Sequence, residues 1–172
     1  MGAKKLKRNV ELNNFGNIVI ENVALSHHSV TEKISFRSSW RLDHELEENS
    51  RNLQDVRFIT LDEYVEDKDI KQIDFIKLDV DGYEYKFLLG AKEVLEKFKP
   101  TIIMELGDYT LKRTGDKIED MIAFLLSLGY EFYSERSMAK FSDKDLILDS
   151  IPNRDKFTIN VVLLHKEANT NA

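Results

Sequence analysis

The sequence predicts an α/β protein, in which helices pack on the faces of a β-sheet. Short apolar runs typical of buried strands alternate along the chain with longer segments whose apolar residues have helical spacing. The 172 residues are 42% hydrophobic and 33% charged, which is enough apolar material for one core beneath a well-solvated surface. We expect one domain over residues 1–165 and a flexible tail over 166–172.

Composition excludes several classes of protein. The chain has no cysteine, which excludes a disulfide scaffold, a Cys-ligated zinc site and a Cys nucleophile, and fits a reducing cytoplasm. A net charge of −6 argues against a broad nucleic-acid interface. No apolar run approaches the length of a membrane span, and the basic N-terminus is followed by no apolar stretch typical of a signal peptide. We therefore expect a cytoplasmic location, with neither a nucleic acid nor a membrane as partner.

The first half of the chain predicts one helix and two strands. Helical spacing of apolar residues predicts a helix over Lys4–Asn14, which Gly16 would end. Residues rich in Val and Ile predict a strand over Ile18–Leu25, and alternation over Val30–Phe36 predicts an antiparallel or edge strand. The polar, aperiodic stretch 37–55 predicts a loop long enough to act as a lid.

The second half begins with a strand, a helix and a strand. Ile73–Val80 is typical of a buried strand, and helical spacing predicts a helix over Tyr83–Phe98. Pro100 prevents that helix from continuing. Thr101–Leu106 is nearly all apolar, which is typical of a central parallel strand.

The chain then predicts one more helix and a closing pair of strands. The helix covers Lys117–Leu128, with Asp116 as its N-cap. Strands are predicted over Tyr130–Tyr133 and Phe157–Leu164 with no clear helix between them. We expect these two strands to form an antiparallel hairpin at one edge of the sheet, connected by Phe141–Asp155.

Acidic residues follow the two central strands. Asp79 lies near the end of one, Asp81 follows two residues later, and Glu105 lies near the end of the next. Ligands of open α/β sheets bind beyond the carboxyl ends of strands, where a carboxylate can accept a proton or anchor a hydroxyl. Asp81 is also a candidate helix N-cap, with Glu84 reaching back. Glu105 either ends its strand in a polar cleft or pairs with a buried Lys or Arg.

A metal-dependent alternative uses the same acids. Asp79, Asp81 and Glu105 could bind a hard divalent cation through oxygen, as in an enzyme that transfers sugars. That alternative requires a nucleotide-binding first half, which the sequence does not contain. We therefore predict no metal site.

Several blocks resemble the FkbM-type methyltransferases. The most specific is Phe-Ile-Lys-Leu-Asp-Val-Asp-Gly-Tyr-Glu, in which Asp81 replaces the commoner Glu of the family. The weaker blocks lie on both sides of it and occur in the same order as in the family. The matching segments are Leu6–Asn13, Asn22–Ser26, Thr60–Tyr64, Phe75–Glu84, Leu88–Ala91 and Pro100–Glu105.

The resemblance implies a Rossmann-like, class I methyltransferase sheet that binds S-adenosylmethionine and methylates a hydroxyl of a small-molecule or saccharide acceptor. Carried over, Asn22, Val23, Ala24 and Leu25 would border the adenine. Asp79 would lie near the methyl group and the acceptor hydroxyl, and with Glu105 it is our catalytic candidate. The residues that we assign to the acceptor are Asp81, Tyr83 and Trp40.

One part of the family pattern is missing. Its glycine-rich loop wraps the methionine end of the cofactor, and an acid after its second strand grips the ribose, but this sequence contains neither. We expect a sheet truncated at the N-terminus by two strands that would lie between Ile18–Leu25 and Ile73–Val80. Without the two missing strands, Ile18–Leu25 and Ile73–Val80 either pair directly with each other or expose apolar edges.

Three states follow from this expectation: a truncated gene product, which we favour, a half completed by another chain, or a rearranged remnant. The leading prediction is an O-methylating enzyme whose isolated chain binds the cofactor weakly or not at all. The alternative is a non-catalytic α/β remnant that acts as a binding or assembly subunit.

Overall fold

A computed structural model describes residues 2–36, 42–43 and 53–167, and the predicted α/β class is confirmed. The strands are β1 Ala24–Leu25, β2 Val30–Phe36, β3 Leu42–Asp43, β4 Leu53–Ile59, β5 Phe75–Leu78, β6 Thr101–Leu106, β7 Tyr130–Ser134 and β8 Ile159–His165. The helices are α1 Gly2–Leu12, α2 Leu61–Asp67, α3 Glu84–Leu89, α4 Lys92–Phe98, α5 Asp108–Lys112, α6 Ile118–Ser127 and α7 Lys144–Asp149.

The strands form two separate four-stranded sheets. In the N-terminal sheet the order is β1-β4-β2-β3, where β1 runs parallel to β4 and β2 runs antiparallel to both of its neighbours. In the C-terminal sheet the order is β5-β6-β8-β7. The strands β1 and β5 therefore do not pair with each other, and each is an edge strand within the part of the chain that the structure describes.

The C-terminal sheet has one side at which β5, β6 and β7 end and β8 begins. We call this side, formed by strand ends, the carboxyl edge. β5 and β6 are parallel, with Leu78 opposite Met104, so their carboxyl ends lie side by side. β8 is antiparallel to β6 and β7 and begins at the same edge, since Ile159 is opposite Leu106. This is the edge at which α/β sheets bind ligands.

The main core lies on one face of the C-terminal sheet. Ile102, Met104 and Leu106 are fully buried, whereas Ile103 and Glu105 between them are only half-buried. Helices α2 to α7 contribute apolar residues to the same cluster. The alternation shows that the apolar run predicted as a central strand is covered fully on one face only.

Helix α2 and the residue after β1 attach the N-terminal sheet to this core. The carboxylate of Asp62 in α2 accepts hydrogen bonds from the first turn of α4, from the N–H of Glu93 at 3.2 Å and of Val94 at 2.9 Å. The Asp62 N–H donates to the Gly90 carbonyl at 3.0 Å. A Cβ added at Gly90 would lie 2.0 Å from the carbonyl oxygen of Ser26, so the chain after β1 packs directly on this glycine.

Several predicted elements differ from the structure. Only Ala24–Leu25 of the predicted strand Ile18–Leu25 pairs, and Val19 is 81% exposed. The strand predicted as buried over Ile73–Val80 shortens to β5, where Phe75 is 52% exposed because β5 lies at a sheet edge. The predicted helix Tyr83–Phe98 is two helices, α3 and α4, separated at Gly90 and Ala91, where Asp62 binds the Gly90 carbonyl and the first turn of α4.

The ends and connections also differ. Helix α1 ends at Leu12, followed by Asn14 with a positive φ of 53°, so Gly16 does not end it. Strand β4 begins at Leu53, inside the predicted loop 37–55. The N-cap of α6 is Lys117, not Asp116, and the Asp116 carboxylate forms an ion pair with Lys86.

The last two strands run antiparallel, and their connection includes the unpredicted helix α7, which begins at the side-chain cap Asp143. Two further helices were not predicted: α2 follows β4, and α5 follows β6. Residues 168–172 of the predicted tail lie outside the described residues.

The contact between Gly90 and Ser26 predicts a sharp effect of one methyl group. We expect Gly90→Ala to lower the free energy of unfolding by about 3 kcal/mol, because the new Cβ must displace backbone rather than a flexible side chain. Urea denaturation measures this change. The matched control is Gly16→Ala, whose Cβ would meet nothing within 4 Å and should change stability by less than about 0.5 kcal/mol. Equal stability of the two variants would contradict the packing.

Candidate functional site

The two catalytic candidates lie on neighbouring strands at the carboxyl edge. Asp79 follows Leu78 and Glu105 follows Met104, and Leu78 and Met104 are register partners on the parallel strands β5 and β6. Because side chains alternate between the faces of a strand, Asp79 and Glu105 belong to the face opposite Leu78 and Met104. The topology therefore places both acids at adjacent strand ends on the less covered face of the sheet.

Asp79 is open to solvent. Its side chain is 58% exposed, and Oδ2 lies 3.0 Å from the ammonium of Lys77, two residues earlier on the same face. An exposed ion pair of this kind contributes little to stability. Asp79 is thus a carboxylate with a cationic neighbour and an accessible oxygen.

Glu105 is half-buried and bound by a hydroxyl. The Thr158 hydroxyl donates to Glu105 Oε1 at 2.6 Å. This threonine takes the place of the predicted partner, a buried Lys or Arg. Thr158 lies directly before β8, which pairs with β6. Within the described ranges no group of three His, Asp or Glu side chains is arranged to hold a metal ion.

The turn between β5 and α3 is held by Glu84. This side chain is 2% exposed, and its Oε1 accepts hydrogen bonds from the Val80 N–H at 3.1 Å and the Gly82 N–H at 3.2 Å. Burial raises the pKa of the Glu84 carboxyl, and the nearby Glu105 raises it further. Glu84 therefore reaches back as predicted.

The predicted cap role of Asp81 is wrong. The N-cap of α3 is Tyr83, without a side-chain cap, and Asp81 is an exposed residue with a positive φ of 53°. Since Glu84 already binds the turn's N–H groups, Asp81 serves as the exposed corner of the turn. Tyr83 is half-buried, and Trp40 lies outside the described residues.

Gly82 packs the turn between β5 and α3 against helix α5. Its φ is 104°, and a Cβ added there would lie 2.4 Å from the Thr110 carbonyl oxygen in α5. The Thr114 hydroxyl donates to the Gly82 carbonyl at 3.0 Å. Both the conformation and the packing require glycine at this position.

The residues predicted to border the adenine lie in and just before β1, near the carboxyl end of α3. Asn22 is exposed, Val23 is half-buried, and Ala24 and Leu25 form β1, which leads into the contact between Ser26 and Gly90. Gly90 follows α3, whereas Asp79 precedes it, and six helical residues span about 9 Å. The structure thus places this segment at the opposite end of α3 from the acids.

A comparison with protein families shows which family the chain belongs to. The sequence model described as "Methyltransferase FkbM domain" matches residues 2–132. The chain belongs to the FkbM methyltransferase family. No curated protein and no solved structure matches the chain. Among the described helices, none has the length and apolar character needed to cross a membrane.

Several of the predicted family blocks have structural duties in this chain. Thr60 caps α2 through a hydrogen bond from the Glu63 N–H at 3.0 Å, and Asp62 caps α4. Glu84 closes the turn before α3, and Gly90 admits the Ser26 carbonyl. Asp79 and Asp81, in the block Phe75–Glu84, are exposed acids.

The described residues do not fit S-adenosylmethionine by themselves. Gly82 and Gly107 lie in strand-to-helix turns, which could cradle a ligand. However, the space beside Gly82 holds the Thr110 carbonyl oxygen, and the space beside Gly107 holds Thr158 Cγ2, each 2.4 Å from an added Cβ. The Gly82 N–H is also bound to Glu84. In both turns, protein atoms occupy the side of the glycine on which a Cβ would lie.

One ionic cluster near the carboxyl edge was not predicted. Arg154 donates through Nε to the buried carboxylate of Asp108 at 2.9 Å and also binds Glu119, which lowers the pKa of the Glu119 carboxyl. Lys112 adds a second cation 3.2 Å from Asp108. The position of Asp108 directly after β6 was a usable signal in the sequence. Arg154 has no motif around it.

The buried carboxyl of Glu84 predicts a pH-dependent stability. Its raised pKa means that the folded chain holds this proton more tightly than the unfolded chain does. Its contribution to stability therefore falls as the pH rises from the ordinary pKa of a glutamate to the raised value. We expect Glu84→Gln, which keeps an acceptor for both N–H groups, to remove this fall in urea denaturation across pH.

Two variants control this experiment. Glu84→Ala leaves two turn N–H groups without their acceptor and should lower the free energy of unfolding by about 1–3 kcal/mol at every pH. Asp81→Asn changes an exposed acid of the same turn and should leave the pH profile intact. A Glu84→Gln profile that matches the wild-type profile would contradict the assignment.

Proposed function

We propose that this FkbM-family chain carries the acceptor side of a site that transfers a methyl group from S-adenosylmethionine to a hydroxyl oxygen. The acceptor is a sugar or a related natural product. The observation that carries the proposal is the exposed carboxylate of Asp79, within the matched residues and at the carboxyl edge. We also propose a cytoplasmic location, in keeping with a chain that has no cysteine.

The chemistry assigned to the chain's own residues is the handling of the acceptor. A hydroxyl becomes a stronger nucleophile when a carboxylate accepts its proton, and Asp79 is accessible for that role. Lys77, 3.0 Å away, forms an exposed ion pair with Asp79. Glu105, held by Thr158, supplies a second carboxylate at the adjacent strand end.

A non-catalytic assembly subunit is the second candidate. It is favoured by the edge of β5, because within the described residues β5 pairs only with β6 and exposes Phe75. A partner that supplies strands at this edge could also complete a methyltransferase site. Light scattering of the chain purified with its natural partners separates a complex from a monomer.

We predict that the 172-residue chain does not bind S-adenosylmethionine in the micromolar range. The reason is that the space and the N–H group of the Gly82 turn are occupied by Thr110 and Glu84. Isothermal titration calorimetry measures the binding. Micromolar binding by this chain would contradict the proposed division of the site.

The role of Asp79 is tested in a fusion that places the glycine-rich unit of an active family member before this chain. We expect the fusion to transfer labelled methyl groups to hydroxyl acceptors, and Asp79→Asn to lower the rate about 100-fold or more, the contribution typical of a general base. Asp74→Asn, at the other end of β5 and also exposed, should retain the rate. A folded fusion whose rate is unchanged by Asp79→Asn would contradict this role.

A further inference from the structure

A cavity of about 590 Å³ opens at the carboxyl edge, beyond the residues that match the family. It lies between the end of β7 and the start of β8, and the connection that contains α7 closes its other side. The volume lies within the roughly 300–1,000 Å³ typical of pockets for small molecules. No residue of the cavity carries a function assigned above except Thr158.

Thr158 links the cavity to the candidate catalytic acids. Its side chain lines the cavity, and its hydroxyl donates to Glu105 Oε1 at 2.6 Å. Asn160, which also lines the cavity, is the register partner of Glu105 across β6 and β8. A molecule in the cavity therefore lies beside the strand end that carries Glu105, next to the end that carries Asp79.

The lining combines aromatic rings with planar polar side chains. Phe157 is 56% exposed and Phe141 is half-buried, so both rings belong to the wall of the cavity. Asn160 and Glu135, 3.4 Å apart through Nδ2 and Oε1, and Arg136 offer amide, carboxylate and guanidinium groups. Such groups can each bind two neighbouring hydroxyls, while an aromatic ring packs on the apolar face of a sugar ring.

The charge of the lining favours a neutral ligand. Arg136 and Glu135 are adjacent and opposite in sign, and the other polar lining groups are hydroxyls and an amide. A phosphate or a carboxylate would meet Glu135 as well as Arg136, whereas a hydroxyl can donate to one and accept from the other. Hydroxyl-rich, uncharged rings satisfy both groups.

We propose that this cavity binds the saccharide part of the acceptor, with Phe157 packed against the sugar ring and Asn160 bound to its hydroxyls. The inference rests on the proposed function for the identity of the acceptor. Binding itself needs no methyl donor. The residues that line the cavity lie beyond the matched residues 2–132.

The test is saturation-transfer-difference NMR of the full 172-residue chain without S-adenosylmethionine. The probes are glucose, galactose, rhamnose and N-acetylglucosamine, with catechol as an aromatic alcohol. We expect ring-proton signals from at least one sugar. Phe157→Ala should weaken its binding by about tenfold or more, which is the scale expected for losing a buried aromatic contact.

Matched variants make the result specific. Phe15→Ala removes an aromatic ring of similar exposure, 53%, far along the chain and outside the cavity, and should bind like wild type. Asn160→Ala removes an exposed amide of the lining and should weaken binding while leaving the circular dichroism spectrum unchanged.

Three results would overturn the proposal. They are no signal from any of the four sugars, binding of catechol alone, or sugar binding that Phe157→Ala and Asn160→Ala leave unchanged. Sugar binding that these variants abolish, together with a fusion protein that transfers no methyl group, would refute the proposed function and leave the saccharide site standing.

Discussion

The buried carboxylate of Glu84 holds the turn from which the rest of the site is arranged. By accepting the N–H groups of Val80 and Gly82, it sets the direction in which the chain leaves β5 and enters α3. Asp79 lies directly before this turn and remains exposed. The energetic requirement is strict at Gly82, because its buried N–H must be satisfied by another protein group. The same bonds leave the turn closed to a ligand.

The closed turn separates the groups of this chain that are suited to an acceptor from the glycine turns that are filled by protein atoms. The acids and the cavity at the carboxyl edge are suited to an acceptor, whereas protein atoms fill the space beside Gly82 and Gly107. The open edge of β5 lies beside Asp79, so a strand added there would bring its own end next to that acid. The two candidate functions are therefore compatible, since a subunit that assembles with a partner could also carry the acceptor side of an enzyme.

Local patterns predicted part of this structure. The alternation of β2, the apolar run of β6 and the acids after the central strands all follow from neighbouring residues. The break at Gly90 could not be predicted, because Asp62, which binds the Gly90 carbonyl and the first turn of α4, comes from a distant part of the chain. The cavity beside Thr158 likewise depends on the antiparallel return of β8, which brings together residues without a shared motif.

Native-state hydrogen exchange of the Val80 and Gly82 amides tests the closed turn most directly. We predict slow exchange of both amides, unchanged by S-adenosylmethionine and accelerated in Glu84→Ala, because the Glu84 carboxylate is their acceptor. Fast exchange in the wild-type chain, or protection that appears only when the cofactor is added, would show that the turn is open and available to a ligand.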